Sequence, residues 1–108
     1  PRKLHHNVYV IELDPAVLAK EKKFADENPD HNPAKLCLYV CMTGRTPDER
    51  FEQHLEGIRS SKYPHKHGQR LRQELFERHN PMTFAAACAK EKQLAEQLRG
   101  QGYAVWQR

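Results

Sequence analysis

The sequence predicts an α+β layer fold, with a small, mostly antiparallel sheet of three strands flanked by helices. Three observations carry this expectation. Leu36 to Met42 is an uncharged run of aliphatic, aromatic and thiol side chains, the length of a strand covered on both faces. After a break at Thr43-Gly44-Arg45, Thr46-Pro47-Asp48-Glu49 supplies a capping hydroxyl, proline at the first helical position and glutamate three residues after the cap. Residues 84–99 form the most regular helical pattern in the chain, with Gly100 and Gly102 as its stop.

In chain order, Pro1 to His6 is polar, basic and without pattern. Asn7 to Leu13 is rich in β-branched and aromatic residues and reads as the first strand. Asp14-Pro15 starts a helix from Ala16 to about Asn28, with Val17, Leu18 and Phe24 as its inner face. Residues 28–33 are a loop by composition. On the helix after Pro47, Phe51, Leu55 and Ile58 fall at i, i+4 and i+7 and are expected to form the buried seam. Arg50 and His54 form the neighbouring ridge, pointing across the end of the strand. Gly68 to His79 is expected as a short helix with Leu71, Leu75 and Phe76 inward, broken by Asn80-Pro81-Met82-Thr83. Tyr103 to Trp106 is the last strand. No internal repeat or low-complexity tract appears, and residues 1–108 read as one domain.

Composition narrows the class. Hydrophobic residues make up 38% and charged residues 30% of the 108, as in a small soluble domain with a modest core. No apolar run approaches the roughly 18 residues of a membrane span. No charged-then-apolar leader is read at the start, and Pro1 in place of methionine implies a trimmed beginning. Three cysteines form no disulfide framework, which suits the reducing cytoplasm. Cys37 and Cys41 would lie about 13 Å apart on a strand, too far for a shared tetrahedral ion, and read as small buried hydrophobes. The net charge of +4 is uneven: Arg59, Lys62, Lys66, Arg70 and Arg72 fall between residues 59 and 72, where no acid occurs. Such a segment either attracts a phosphate backbone, with Arg45, Lys62, Lys66 and Arg70 as the contacts, or is a solvated basic loop.

Glu91 is the most informative single residue. It falls in the middle of an expected inward stripe of Phe84, Ala87, Cys88, Leu94, Ala95 and Leu98. A buried carboxylate must be paired, protonated or bound to a cation. A salt bridge to Arg50 or a lysine would satisfy it. So would one Mg²⁺ or Mn²⁺ ion, since magnesium keeps several waters and takes only one or two carboxylates. Tyr9 and Tyr39 sit on adjacent strands, where tyrosines are core residues with a hydroxyl at the rim or groups that meet a substrate. Arg50 offers a fixed fork of donors to a phosphate, or pairs with an acid of its own helix; Arg45 in the turn is its rival. His54 relays a proton, holds phosphate or simply lies on the helix face. His65-Lys66-His67 has no further ligand in register for zinc.

This ordered set resembles the GIY-YIG nuclease signature. Asn7-Val8-Tyr9 stands where the GIY triplet would be, and Tyr39-Val40-Cys41 where YIG would be. Arg50, Gln53 and His54 follow at about the expected offset, and Glu91 stands at the family's metal-binding glutamate. The likeness runs from about residue 7 to 106. The helical stretch 14–35 between the first two strands is longer than the family's usual hairpin and is expected to lie outside the chemistry. The resemblance implies an endonuclease that hydrolyses phosphodiester bonds in nucleic acid, DNA more than RNA. Tyr9 would activate water, Tyr39 would position it or the phosphate, Arg50 would stabilise the growing charge, and Glu91 would hold one Mg²⁺ or Mn²⁺. Base duty requires the phenol pKa to fall, as a nearby metal and arginine would promote. Specificity would need a partner or a further domain. This chain departs from the pattern at both glycines, which are Asn7 and Cys41 here; a thiol at 41 narrows the site. Arg50 also lies one residue further from Tyr39 than in many members. Two rival readings keep the fold without the chemistry: a module that binds nucleic acid through residues 59–72, and a protein-interaction domain using the helix of residues 16–28.

Overall fold

The computed structural model describes residues 4–107; the first part of the polar, basic start (residues 1–3) and Arg108 lie outside the described residues. The class is α+β, as the sequence implies, and the sheet has four strands in the order β3-β1-β2-β4. Strand β1 (Asn7–Leu13) pairs antiparallel with β2 (Cys37–Thr43) and with β3 (Gly68–Leu71), whereas β4 (Ala104–Gln107) runs parallel to β2. The extra strand is β3, which replaces the first part of the helix expected over 68–79. Ile11 and Glu12 offer Leu71 and Arg70 a ladder, and the chain then closes in two 3₁₀ turns, Gln73–Leu75 and Glu77–His79. Of the side chains expected inward there, Phe76 is buried and Leu71 and Leu75 are half-buried.

Between β1 and β2 the chain makes two short helices, α1 (Val17–Lys20) and α2 (Lys22–Glu27), where one was expected. Glu21 breaks them with an extended backbone, and its carboxylate reaches His67 and Lys62. Val17 and Phe24 are buried as their spacing implies. Helix α3 (Pro47–Glu56) opens on the expected box: Thr46 Oγ1 accepts from Glu49 N and donates to Glu49 Oε1. It ends at Gly57, whose φ of 80° is left-handed. Helix α4 (Lys62–His67) leads directly into β3, and α5 (Phe84–Gly100) is capped by Thr83.

Because paired residues share a sheet face, the register sorts the core into two layers. Tyr9, Ile11, Leu13, Cys37, Tyr39, Cys41, Ala104 and Trp106 share one face, under α2, α3 and α4. Val8, Val10, Leu38, Val40, Val105 and Gln107 share the other, under α5. Helix α5 buries Ala87, Glu91, Leu94, Ala95 and Leu98. Two members of the expected stripe are exposed, Phe84 and Cys88. Phe84 lies in the first turn, where it packs edge-on against the His6 ring.

Candidate active site

Helix α3 is turned relative to the expected seam. Leu55 and Ile58 are 44% and 47% exposed, whereas His54 is fully buried and Phe51 half-buried. His54 therefore faces the sheet. Burying an imidazole is tolerable when both ring nitrogens are satisfied, and here they are. Nε2 lies 2.8 Å from the Tyr9 hydroxyl and Nδ1 lies 2.7 Å from Ser60 Oγ. The Tyr39 ring packs edge-on to His54, with centroids 5.5 Å apart. Tyr9, Tyr39 and His54 thus form one buried cluster, each with no exposed surface.

Burial pushes the Tyr9 phenol above its ordinary value of 10; Cys41 and Tyr39 beside it push the same way, and Arg50 pulls back without offsetting them. The expected fall does not occur in this state, so Tyr9 keeps its proton at neutral pH, with its oxygen in hydrogen-bond contact with His54 Nε2. Cys41 lies opposite Tyr9 in the ladder, and its side chain is buried. Asn7 donates from Nδ2 to Arg45 O and pins the turn after β2.

Arg50 lies one helical turn from His54. Its guanidinium donates to Gln53 Oε1, Ile58 O and Arg59 O, at 3.1, 3.0 and 2.7 Å. Among the described residues no carboxylate pairs with it. The arginine lines a cleft of about 690 Å³ bounded by Thr43–Arg45, Gln53, Ile58 and Arg59. Three arginines and no acid border that space, which is suited to an anion. A cleft of about 570 Å³ at the far end of α5 has mixed charge, with Glu27, Asp30, Glu96 and Arg99 at its walls. There Arg99 is committed to Asn28 and Val105.

The expected nucleic-acid contacts meet different partners. Arg45 is exposed on the cleft rim, 4.0 Å from Glu49. Lys62 pairs with Glu21, Arg70 with Glu12, and Arg72 with Glu12 and Glu74. Acids from other segments therefore answer three of the five cations of residues 59–72. Lys66 is exposed on α4. His65 lies against His54 O and His67 against Glu21, so the two histidines serve different partners.

Glu91 is turned inward, 9% exposed, as the helix period implies. Its Oε1 accepts from Gln107 Nε2 at 2.8 Å, on the α5 side of the sheet, while the phenols lie on the α3 side. Among the described residues no three potential ligands of the His, Cys, Asp or Glu type group around an ion site. As placed, these residues do not build a cation site that faces Tyr9. Ser60, which sequence reasoning passed over, carries no motif; only its position just past the α3 stop marks it.

Comparison of the chain with protein-family models, with curated proteins and with solved structures gave no match. No helix among the described residues is long and apolar enough to cross a membrane.

Proposed function

We propose that this domain is an endonuclease that hydrolyses phosphodiester bonds in nucleic acid, DNA more than RNA, with a GIY-YIG-like site on the α3 face of the sheet. The single observation that carries the reading is the Tyr9–His54 hydrogen bond, set one helical turn from an arginine in an acid-free cleft. A phosphate in the cleft would meet Arg50 and Arg45, whose charges stabilise the pentacovalent state as it forms. As a water oxygen bonds to phosphorus, its proton passes to the phenol oxygen of Tyr9 and the phenol proton to His54 Nε2. The bond from phosphorus to the leaving oxygen breaks, and that oxygen takes a proton from solvent. Tyr39 packs against His54 and holds the imidazole in line. Burial holds the phenol above its ordinary value, which works against a free phenolate, so in this order Tyr9 acts only as its own proton is handed on to His54.

The family resemblance also implies one Mg²⁺ or Mn²⁺ at Glu91, whose carboxylate lies on the α5 side of the sheet. The residues around Glu91 do not face the phenols, so every step above rests on the chain's own groups. Specificity would come from a partner or a further domain.

The test is incubation of the protein at low salt with supercoiled plasmid, single-stranded DNA and RNA, each in Mg²⁺, Mn²⁺ or EDTA. Nicking that slows on the order of 100-fold in Arg50→Ala is the expected result. The full burial of both phenols favours a second reading, a module that binds nucleic acid without cutting it. Salt-sensitive binding with no product from any of the three substrates would establish that reading instead.

A further inference from the structure

We propose that Ser60 is a positioning residue that fixes the tautomer of His54, and so the direction in which the Tyr9 proton moves. The inference rests on the nuclease reading for its purpose, but its geometry is independent of it. A serine hydroxyl has one proton. Here that proton goes to Ser61 O, 2.8 Å away. The Ser60 oxygen, 2.7 Å from His54 Nδ1, must then accept, which places the imidazole N–H on Nδ1. Nε2 is left with its lone pair toward the Tyr9 hydroxyl, 2.8 Å away. The four groups form one directed chain: Tyr9 O–H to Nε2, Nδ1–H to Ser60 Oγ, Ser60 O–H to Ser61 O. With the opposite tautomer, Nε2–H would point at the phenol and could not take its proton.

The loop that carries Ser60 is held from the same helix. Arg50 grips the carbonyls of Ile58 and Arg59, the two residues before Ser60. Arg59 keeps a left-handed φ of 47°, which a side chain other than glycine adopts only when its surroundings hold it there. Arg50 thus serves the cleft with its charge and the tautomer with its grip. When an imidazolium forms during turnover, both its N–H groups already have acceptors, Tyr9 and Ser60.

The experiment is long-range ¹H–¹⁵N correlation of the histidine side chains at neutral pH, in wild type, Ser60→Ala and Ser60→Thr, with plasmid nicking measured on the same samples. The expected wild-type spectrum gives His54 a protonated Nδ1 and an unprotonated Nε2. Ser60→Ala is expected to mix the two tautomers and to slow nicking on the order of tenfold, the loss of about one hydrogen bond. Ser60→Thr, which keeps the hydroxyl, restores both. A wild-type signal with the proton on Nε2, or a Ser60→Ala spectrum with His54 unchanged, would overturn the proposal. Absence of nicking by wild type would overturn the nuclease reading alone, since the nitrogen shifts still decide the role of Ser60.

Discussion

Tyr9 and His54 are the hydrogen-bonded pair through which the proposed chemistry would move one proton. Removing the hydroxyl in Tyr9→Phe leaves His54 Nε2 facing an apolar ring edge, which is expected to cost about 1–3 kcal/mol in urea unfolding. Glu21 offers a second check at this scale, through pH. Hydrogen bonds from His67 and then Lys62 hold its carboxyl below the ordinary value of 4.5. A depressed folded-state pKa contributes stability that is present above 4.5 and disappears as the pH falls through the folded value. Glu21→Gln is therefore expected to flatten the acid limb of a stability-against-pH curve from serial urea titrations. An unchanged acid limb would mean the pair contributes nothing. The sequence named Tyr9, Tyr39, Arg50 and His54, and the fold brings all four to α3 and the strands beneath it. It could not name Ser60, because a serine past a helix end looks alike whether or not it meets an imidazole. Nor could it weigh Asn28, read as the end of a helix and the start of a loop, whose amide bonds Phe24 O and both backbone groups of Val105.

At the scale of elements, strands β1, β2 and β4 and helices α3 and α5 were legible because each had a period, a cap or a stop. What misled was rotation. An i, i+4, i+7 pattern of Phe51, Leu55 and Ile58 points α3 one way, but the helix ends before Ile58 and buries His54 against Tyr9, leaving Leu55 and Ile58 exposed. Helix formers in 68–79 likewise yielded to a free strand edge on β1. The junction of α4 and β3 depends on Gly68, since a Cβ there would lie 2.4 Å from Pro64 O. Gly68→Ala is expected to lose roughly 1–3 kcal/mol, as overpacking does, by thermal or urea unfolding. Gly100→Ala is the control: nothing lies within 4 Å of its Cβ, and at a helix end alanine should be neutral or gain up to about 1 kcal/mol.

Across the whole molecule, charge is less concentrated than the sequence suggests. The basic run of residues 59–72 is laced to Glu12, Glu21 and Glu74, and Arg45 and Arg59 remain on the cleft rim beside Arg50. Nucleic-acid binding is therefore expected to show a shallow salt dependence, with a log–log slope near −3 for about three phosphate contacts. Arg59→Ala should reduce that slope by about one, measured by fluorescence anisotropy, whereas Lys62→Ala should leave it alone. Among the described residues the sheet separates an α3 side that carries Tyr9, His54 and Ser60 from an α5 side that carries the buried Glu91. The central claim is that the α3 side cuts. Its most direct test is the single-turnover nicking rate of Tyr9→Phe against wild type under identical ionic conditions. A rate lower by at least about 100-fold, with an unchanged circular dichroism spectrum, is the result this account requires. Nicking at the wild-type rate would contradict it.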